Sequence, residues 1–446
     1  MAGVGQRIKE LRKAANLTQQ ELAEGVVTRS YISQIEKGLI QPSYDTLEKL
    51  SKRLNCSIED FFKEPENKAM LITEWKKYVR FAEGHAESGQ YEQAKKMLDN
   101  LNTATLDDLN EYDLGILYWV RGKLFEQQNQ FEEAMPHFEE SLRHLKEYVD
   151  SKEKVRSLDS LAYCYLQLNQ NQTALRILND ANEVIIRYHL GGLTKTSVLI
   201  NTGVAHAKLG EHHSAISLLK EASYLNQSMN VHYKAGHIYI TLGICHMRVG
   251  KTEEAVTHYR QAIDFYEYAG DAENRAGAFT NLGILYTNTA QPELAIQAQK
   301  TAISIYEELR AVHRHTAPTE AIRLHARAIN ARIELARAYF HANKFDHVLE
   351  ICQDIVHEES EVRFKAFAYL YLGEVDFKQA RFHEALYNFQ ASHDLFRHVN
   401  DAVYVPQMQE KLADTYFELK QFEQAATLYK SKNEATRIPP APAITP

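Results

Sequence analysis

Few residues in this chain are arranged to make or break bonds. Cys56, Cys164, Cys245 and Cys352 stand far apart with no CxxC pair, so packed, reduced thiols are expected in place of a zinc ribbon or redox motif. His313 and His315 form a His-x-His without a third ligand in sight. A metal site needs three or four, so this stretch reads as a solvated loop or helix extension. No Walker loop, HExxH, nucleophile elbow or paired-carboxylate pattern occurs, and no catalytic residue, metal or cofactor is expected. What remains is the chemistry of recognition. Arg29, Ser30, Ser33, Gln34 and Lys37 crowd into nine residues. Arginine and glutamine each present paired hydrogen-bonding groups suited to one edge of a planar partner.

The chain around them is that of a folded protein. Its 446 residues are 44% hydrophobic and 25% charged, too long for one ordinary core and too apolar for disorder. No apolar run of 18 residues occurs, and the start, MAGVGQRIKELRK, lacks the apolar stretch of a signal peptide; a cytoplasmic location without a membrane is expected. The net charge of −8 hides an asymmetry. Residues 1–56 hold nine Lys or Arg and six Asp or Glu, a net of +3, which leaves −11 for the rest. Only the N-terminal piece suits a polyanion.

That piece reads as five short helices. Ile8 and Leu11 share one face of the first. Thr18 with Glu21 forms a capping box for the second, which buries Leu22 and Ala23 before Gly25 breaks it. Thr28 caps the third, whose Ile32 and Ile35 face inward, and Gly38 stops it. Ser43 caps the fourth, carrying Leu47, Leu50 and Leu54, and the turn SIEDFF plugs the core with Phe61 and Phe62. The residues TQQELA, SYISQIEKG and PSYDTLEKLSKRL resemble the repressor-type helix-turn-helix family of phage repressors and Cro over about 60 residues. The resemblance implies that the third helix enters the major groove. Counted back from Glu36-Lys37-Gly38, the base-reading positions fall on Arg29, Ser30 and Gln34, with Ser33 beside them. Arg would take guanine O6 and N7, and Gln adenine N6 and N7. Gln19 and Lys37 match positions that touch phosphate, and Arg12 and Glu36 match an orienting ion pair. The link EGVVTRSYISQI is one residue shorter than in most such proteins, around Gly25-Val26-Val27.

From about residue 72 one pattern recurs. A landmark residue stands at Ala94, Ala134, Ala174, Ala215, Ala255, Ala295, Val348, Ala385 and Ala425, at spacings of 40, 40, 41, 40, 40, 53, 37 and 40. A small residue precedes most of them (Gly122, Ala162, Gly203, Gly243, Gly283, Ala336, Gly373, Ala413), which lets paired helices approach closely. The pattern resembles the tetratricopeptide repeat with a lengthened period, so an all-α fold is expected: a helix-turn-helix domain followed by a solenoid of about nine hairpins. The expected boundaries are 1–64 for the head, 65–75 for a linker, 76–434 for the repeats and 435–446 for a disordered Pro-rich tail. In such repeats the position two before the small residue faces the concave groove. Here it holds Val120, Ser160, Asn201, Thr241, Asn281, Glu334 and Tyr371. Asn201 and Asn281 lie 80 residues apart, and each offers the donor and acceptor that hold an extended peptide. Lys208, Arg248 and Asn288 follow one or two turns further along the same helices and are expected to add charge or hydrogen bonds for a carboxylate or side chain of the ligand.

A repressor-type head on such repeats resembles the peptide-pheromone receptors of Gram-positive bacteria, the group of PlcR, NprR, Rgg and PrgX, related to the Rap phosphatases. Pro42, Ser43 and Asp45 match a pattern of the PlcR-like members. The resemblance implies a transcriptional regulator and not an enzyme, whose partners are double-stranded DNA, a short signalling peptide and a second copy of the chain. It also strengthens the reading of Asn201 and Asn281 as peptide-binding. The alternative is docking or sequestration of a protein such as a response regulator; for a residual Rap-like phosphatase activity no residue suggests itself.

Overall fold

The computed structural model describes residues 3–15, 17–62, 66–99 and 109–435. These form 22 α-helices and no strand, the all-α architecture the sequence implies. They divide into two compact units, Met1–Ser157 and Leu158–Pro446. None of the described helices is long and apolar enough to cross a membrane.

The first unit opens with α1 (Gly3–Ala14), α2 (Gln19–Ala23), α3 (Arg29–Glu36), α4 (Tyr44–Leu54) and a 3₁₀ turn, Ile58–Phe61, where the sequence suggested a fifth helix. Ile8, Leu22, Ile32, Ile35, Leu47, Leu50 and Phe61 close its core. Phe62 is not part of that plug: it is 63% exposed. Two glycines permit the geometry. A Cβ on Gly5 would meet the carbonyl oxygen of Ile35 at 1.9 Å, so α1 crosses α3 backbone to backbone. Gly38, at φ +70°, ends α3 in the left-handed region.

Nine helical hairpins follow. In the first unit they are α5 (Glu66–Glu87) with α6 (Tyr91–Asp99) and α7 (Glu111–Gln127) with α8 (Phe131–His144). Then come α9 (Lys152–Gln167) with α10 (Asn171–Arg187), α11 (Gly192–Lys208) with α12 (His212–Ser228), and α13 (Ala235–Arg248) with α14 (Thr252–Tyr268). The last four are α15 (Ala272–Asn288) with α16 (Pro292–His313), α17 (Pro318–His341) with α18 (Phe345–His357), α19 (Val362–Lys378) with α20 (Phe382–His398), and α21 (Tyr404–Glu418) with α22 (Phe422–Ala435). The segment expected as a linker is helical from Glu66 onward. Residues 436–446 of the expected tail lie outside the described residues.

The repeat follows from a few residues per unit. Each landmark residue from Ala94 to Ala425 is at most 2% exposed. Four residues later a large side chain covers the small one: Phe138 on Gly122, Leu219 on Gly203, Tyr259 on Gly243, Phe389 on Gly373. Each turn between paired helices sets one residue at φ +56° to +82° (Gly89, Asn129, Asn169, Gly210, Gly250, Ala290, Asn343, Ala380 and Lys420). The long spacing near residue 313 is absorbed as helix, since α16 has 22 residues and α17 has 24.

Candidate nucleic-acid interface and inner groove

In the head, the side chains singled out for DNA sit on α3 and its flanks. Thr28 takes the amide of Tyr31 on its side-chain oxygen at 3.2 Å and starts the helix. With Ile32 and Ile35 turned into the core, the opposite side presents Arg29, Ser30 and Lys37 to solvent and Ser33 and Gln34 in part. This exposed row is polar and cationic, suited to base edges and phosphate.

The row is held by a buried network. Arg12 Nε and Nη2 donate to the two Glu36 carboxylate oxygens at 2.6 and 3.1 Å, and Arg12 Nη1 donates to the Leu17 carbonyl at 2.7 Å. Gln19 Nε2 donates to Glu36 Oε2 at 2.8 Å. Glu36 therefore ties α1, α2 and α3 together. Burial alone would raise its carboxyl, but bonds from Arg12 and Gln19 and the Arg12 charge outweigh that and hold it below its ordinary value. Gln19 thus has a structural partner that the sequence reading did not anticipate. Lys37 is exposed beyond the end of α3.

In the second unit the odd-numbered helices from α11 to α19 neighbour one another, with α9 joined to α11 by side-chain bonds; the side they share is termed the inner face. Asn201 is on it but is committed: Nδ2 donates to Asp159 Oδ1 at 2.8 Å, Ser197 Oγ donates to Oδ2 at 2.6 Å, and Asn201 is 4% exposed. Lys208 is also spoken for, with Nζ donating to the Leu166 carbonyl at 2.7 Å and to Asn169 at 3.3 Å, where burial lowers its pKa. Both staple α11 to α9. Asn281 on α15 is half-buried and Arg248 at the end of α13 is exposed. Neither side chain has a hydrogen bond or ion pair among the described residues. Asn288 accepts from Arg337 Nη2 at 2.5 Å, and Arg337 Nη1 pairs with Glu334 Oε2 at 3.2 Å.

Sequence reasoning passed over Asp159 and Arg337, the partners that decide which asparagines are free. The signal was present: Asp159 precedes Asn201 by 42 residues, close to one repeat. His246 is 3% exposed with neither ring nitrogen bonded, and burial beside His258 lowers its pKa.

Residues 8–61 match the helix-turn-helix family and residues 234–308 the tetratricopeptide repeat family. The HTH-type transcriptional regulator SinR of Bacillus subtilis is 43% identical over 84 residues, 18% of this chain and 76% of SinR. PuuR of Escherichia coli, another HTH-type transcriptional regulator, is 41% identical over 63 residues, 14% of this chain and 34% of PuuR. In fold the chain is similar to the apo form of the quorum sensor NprR from B. thuringiensis, with a TM-score of 0.62 at 15% identity, covering 82% of this chain and 99% of NprR.

Proposed function

Because this chain belongs to the helix-turn-helix transcriptional regulators, we propose that it reads an operator through α3 and that a short peptide held in the inner face of its repeats controls that binding. The observation that carries the reading is the solvent-facing row of Arg29, Ser30, Ser33, Gln34 and Lys37, on a helix locked from behind by Arg12, Glu36 and Gln19. Arg29 and Gln34 read base edges; Lys37 meets phosphate. Gln19 reaches phosphate only with what its bond to Glu36 leaves over.

For the peptide, Arg248 and Asn281 are the ligands of choice because their hydrogen-bonding groups are unspent, with Asn288 beside them. Asn201 and Lys208 would have to release Asp159 and the α9 carbonyl first. The chain acts in the cytoplasm, as a homodimer on a two-fold-symmetric site, since one helix-turn-helix buries little surface for specific binding. No step of this function requires catalysis. Binding-site selection from random duplexes tests the DNA reading. The wild type should enrich one motif, and Arg29→Ala and Gln34→Ala should each relax it at separate positions, costing about 1–3 kcal/mol. An unchanged motif in both variants rejects the assignment.

A further inference from the structure

The inner face carries a carboxylate that the proposed function has not used. Glu334 lies on α17 at the position that Asn281 occupies on α15. Its side chain is 19% exposed, and among the described residues its bonded oxygen is Oε2, paired with Arg337 at 3.2 Å. Arg337 divides its guanidinium between that carboxylate and Asn288. Burial holds the Glu334 carboxyl above the usual carboxylate range although Arg337 stands beside it. Next along the face, Tyr371 is so desolvated that its phenol is pushed well up. Arg337 leaves one carboxylate oxygen able to accept from a second donor, and a cation placed there favours the ionised form.

Resting on the peptide reading above, we propose that Glu334 receives the cationic end of the ligand, a primary ammonium or a guanidinium, while Arg248 receives its carboxylate. The ligand then lies in one direction, amine toward α17 and acid toward α13. Neighbouring helices stand about 8–10 Å apart, and Arg248 is displaced by about two turns, roughly 10 Å, along the helix axis. The two charges are thus separated by roughly 20 Å, the span of about six extended residues.

Immobilised full-length protein at about 0.15 M salt, where surface charge is screened beyond roughly 8 Å, is challenged with three random hexapeptide libraries. One has free amino termini and no Lys or Arg; one is N-acetylated with Lys and Arg; one is N-acetylated without them. The wild type should retain the first or second library at least about tenfold over the third, a difference of about 1.4 kcal/mol. Which of the two is retained identifies the ammonium or the side chain as the source. Glu334→Gln should bring the ratio close to one, Glu334→Asp should restore part of it, and Asp354→Asn, an exposed acid elsewhere on the array, should leave it unchanged. Equal retention of the neutral acetylated library by the wild type, or an undiminished preference in Glu334→Gln, overturns the role of Glu334 and leaves the peptide reading standing. Retention of none of the libraries overturns the peptide reading and this inference with it.

Discussion

Replacing Glu36 with alanine removes the one acceptor that joins three helices of the head. Its side chain is 3% exposed and takes three hydrogen bonds, two from Arg12 and one from Gln19. Without it the Arg12 guanidinium, 11% exposed, keeps only the Leu17 carbonyl. Stranding one member of such a pair costs about 3–5 kcal/mol, whereas replacing both with apolar side chains is often near neutral. A head of this size has a total stability of about 3–9 kcal/mol, so Glu36→Ala should bring it close to unfolding while the repeats stay folded. Hydrogen exchange on the full chain, followed by mass spectrometry of the segment containing α3, measures this. Protection there should fall more than about a hundredfold, with the repeat segments unchanged, and Arg12→Leu with Glu36→Leu should recover most of it. A loss under about tenfold, or a double variant worse than the single one, rules out this role for Glu36. The pH dependence has a fixed sign. The folded-state carboxyl lies below its ordinary value of 4.5, so the contribution is complete above that value and disappears as pH falls through the lower, folded one.

Three further outcomes follow from single residues. Gln299 fills the core position that Phe138, Leu219 and Tyr259 hold in other hairpins; it is 0% exposed, its Nε2 donates to the Thr280 carbonyl at 3.0 Å, and its Oε1 has no partner among the described residues. Gln299→Leu should raise stability by about 1–2 kcal/mol, read as a higher thermal midpoint. Ala290, at φ +56°, bears a left-handed strain that glycine avoids, so Ala290→Gly should stabilise by about 1 kcal/mol in denaturant melts. Lys37→Ala should weaken binding to all duplexes alike and lower the salt slope of log K by about one.

Much of the fold was legible because it rests on local rules that repeat. The capping residues Thr18, Thr28 and Ser43 all accept the expected backbone amides. The landmark alanines mark buried positions because a helix facing its neighbour at one spot admits only a small side chain. Phe61 and Phe62 were indistinguishable in sequence; a short 3₁₀ turn aims one inward and the next outward. In the groove, the pattern gave the face of each helix but not the state of its side chains. Asn201 and Asn281 occupy the same register, yet only Asn201 meets an aspartate from the preceding hairpin. That difference depends on a contact between repeats, which periodicity alone does not encode.

The proposed regulation couples the repeats to the head: a peptide on the inner face changes the affinity of α3 for DNA. The direct measurement is a fluorescence anisotropy titration of the selected duplex with full-length protein, with and without the hexapeptide retained most strongly from the libraries. Coupling of this kind amounts to about 1–3 kcal/mol, so Kd for the duplex should shift by about fivefold or more, and Arg248→Ala with Asn281→Ala should abolish the shift without altering Kd in the absence of peptide. A duplex affinity that stays the same at saturating peptide contradicts the account.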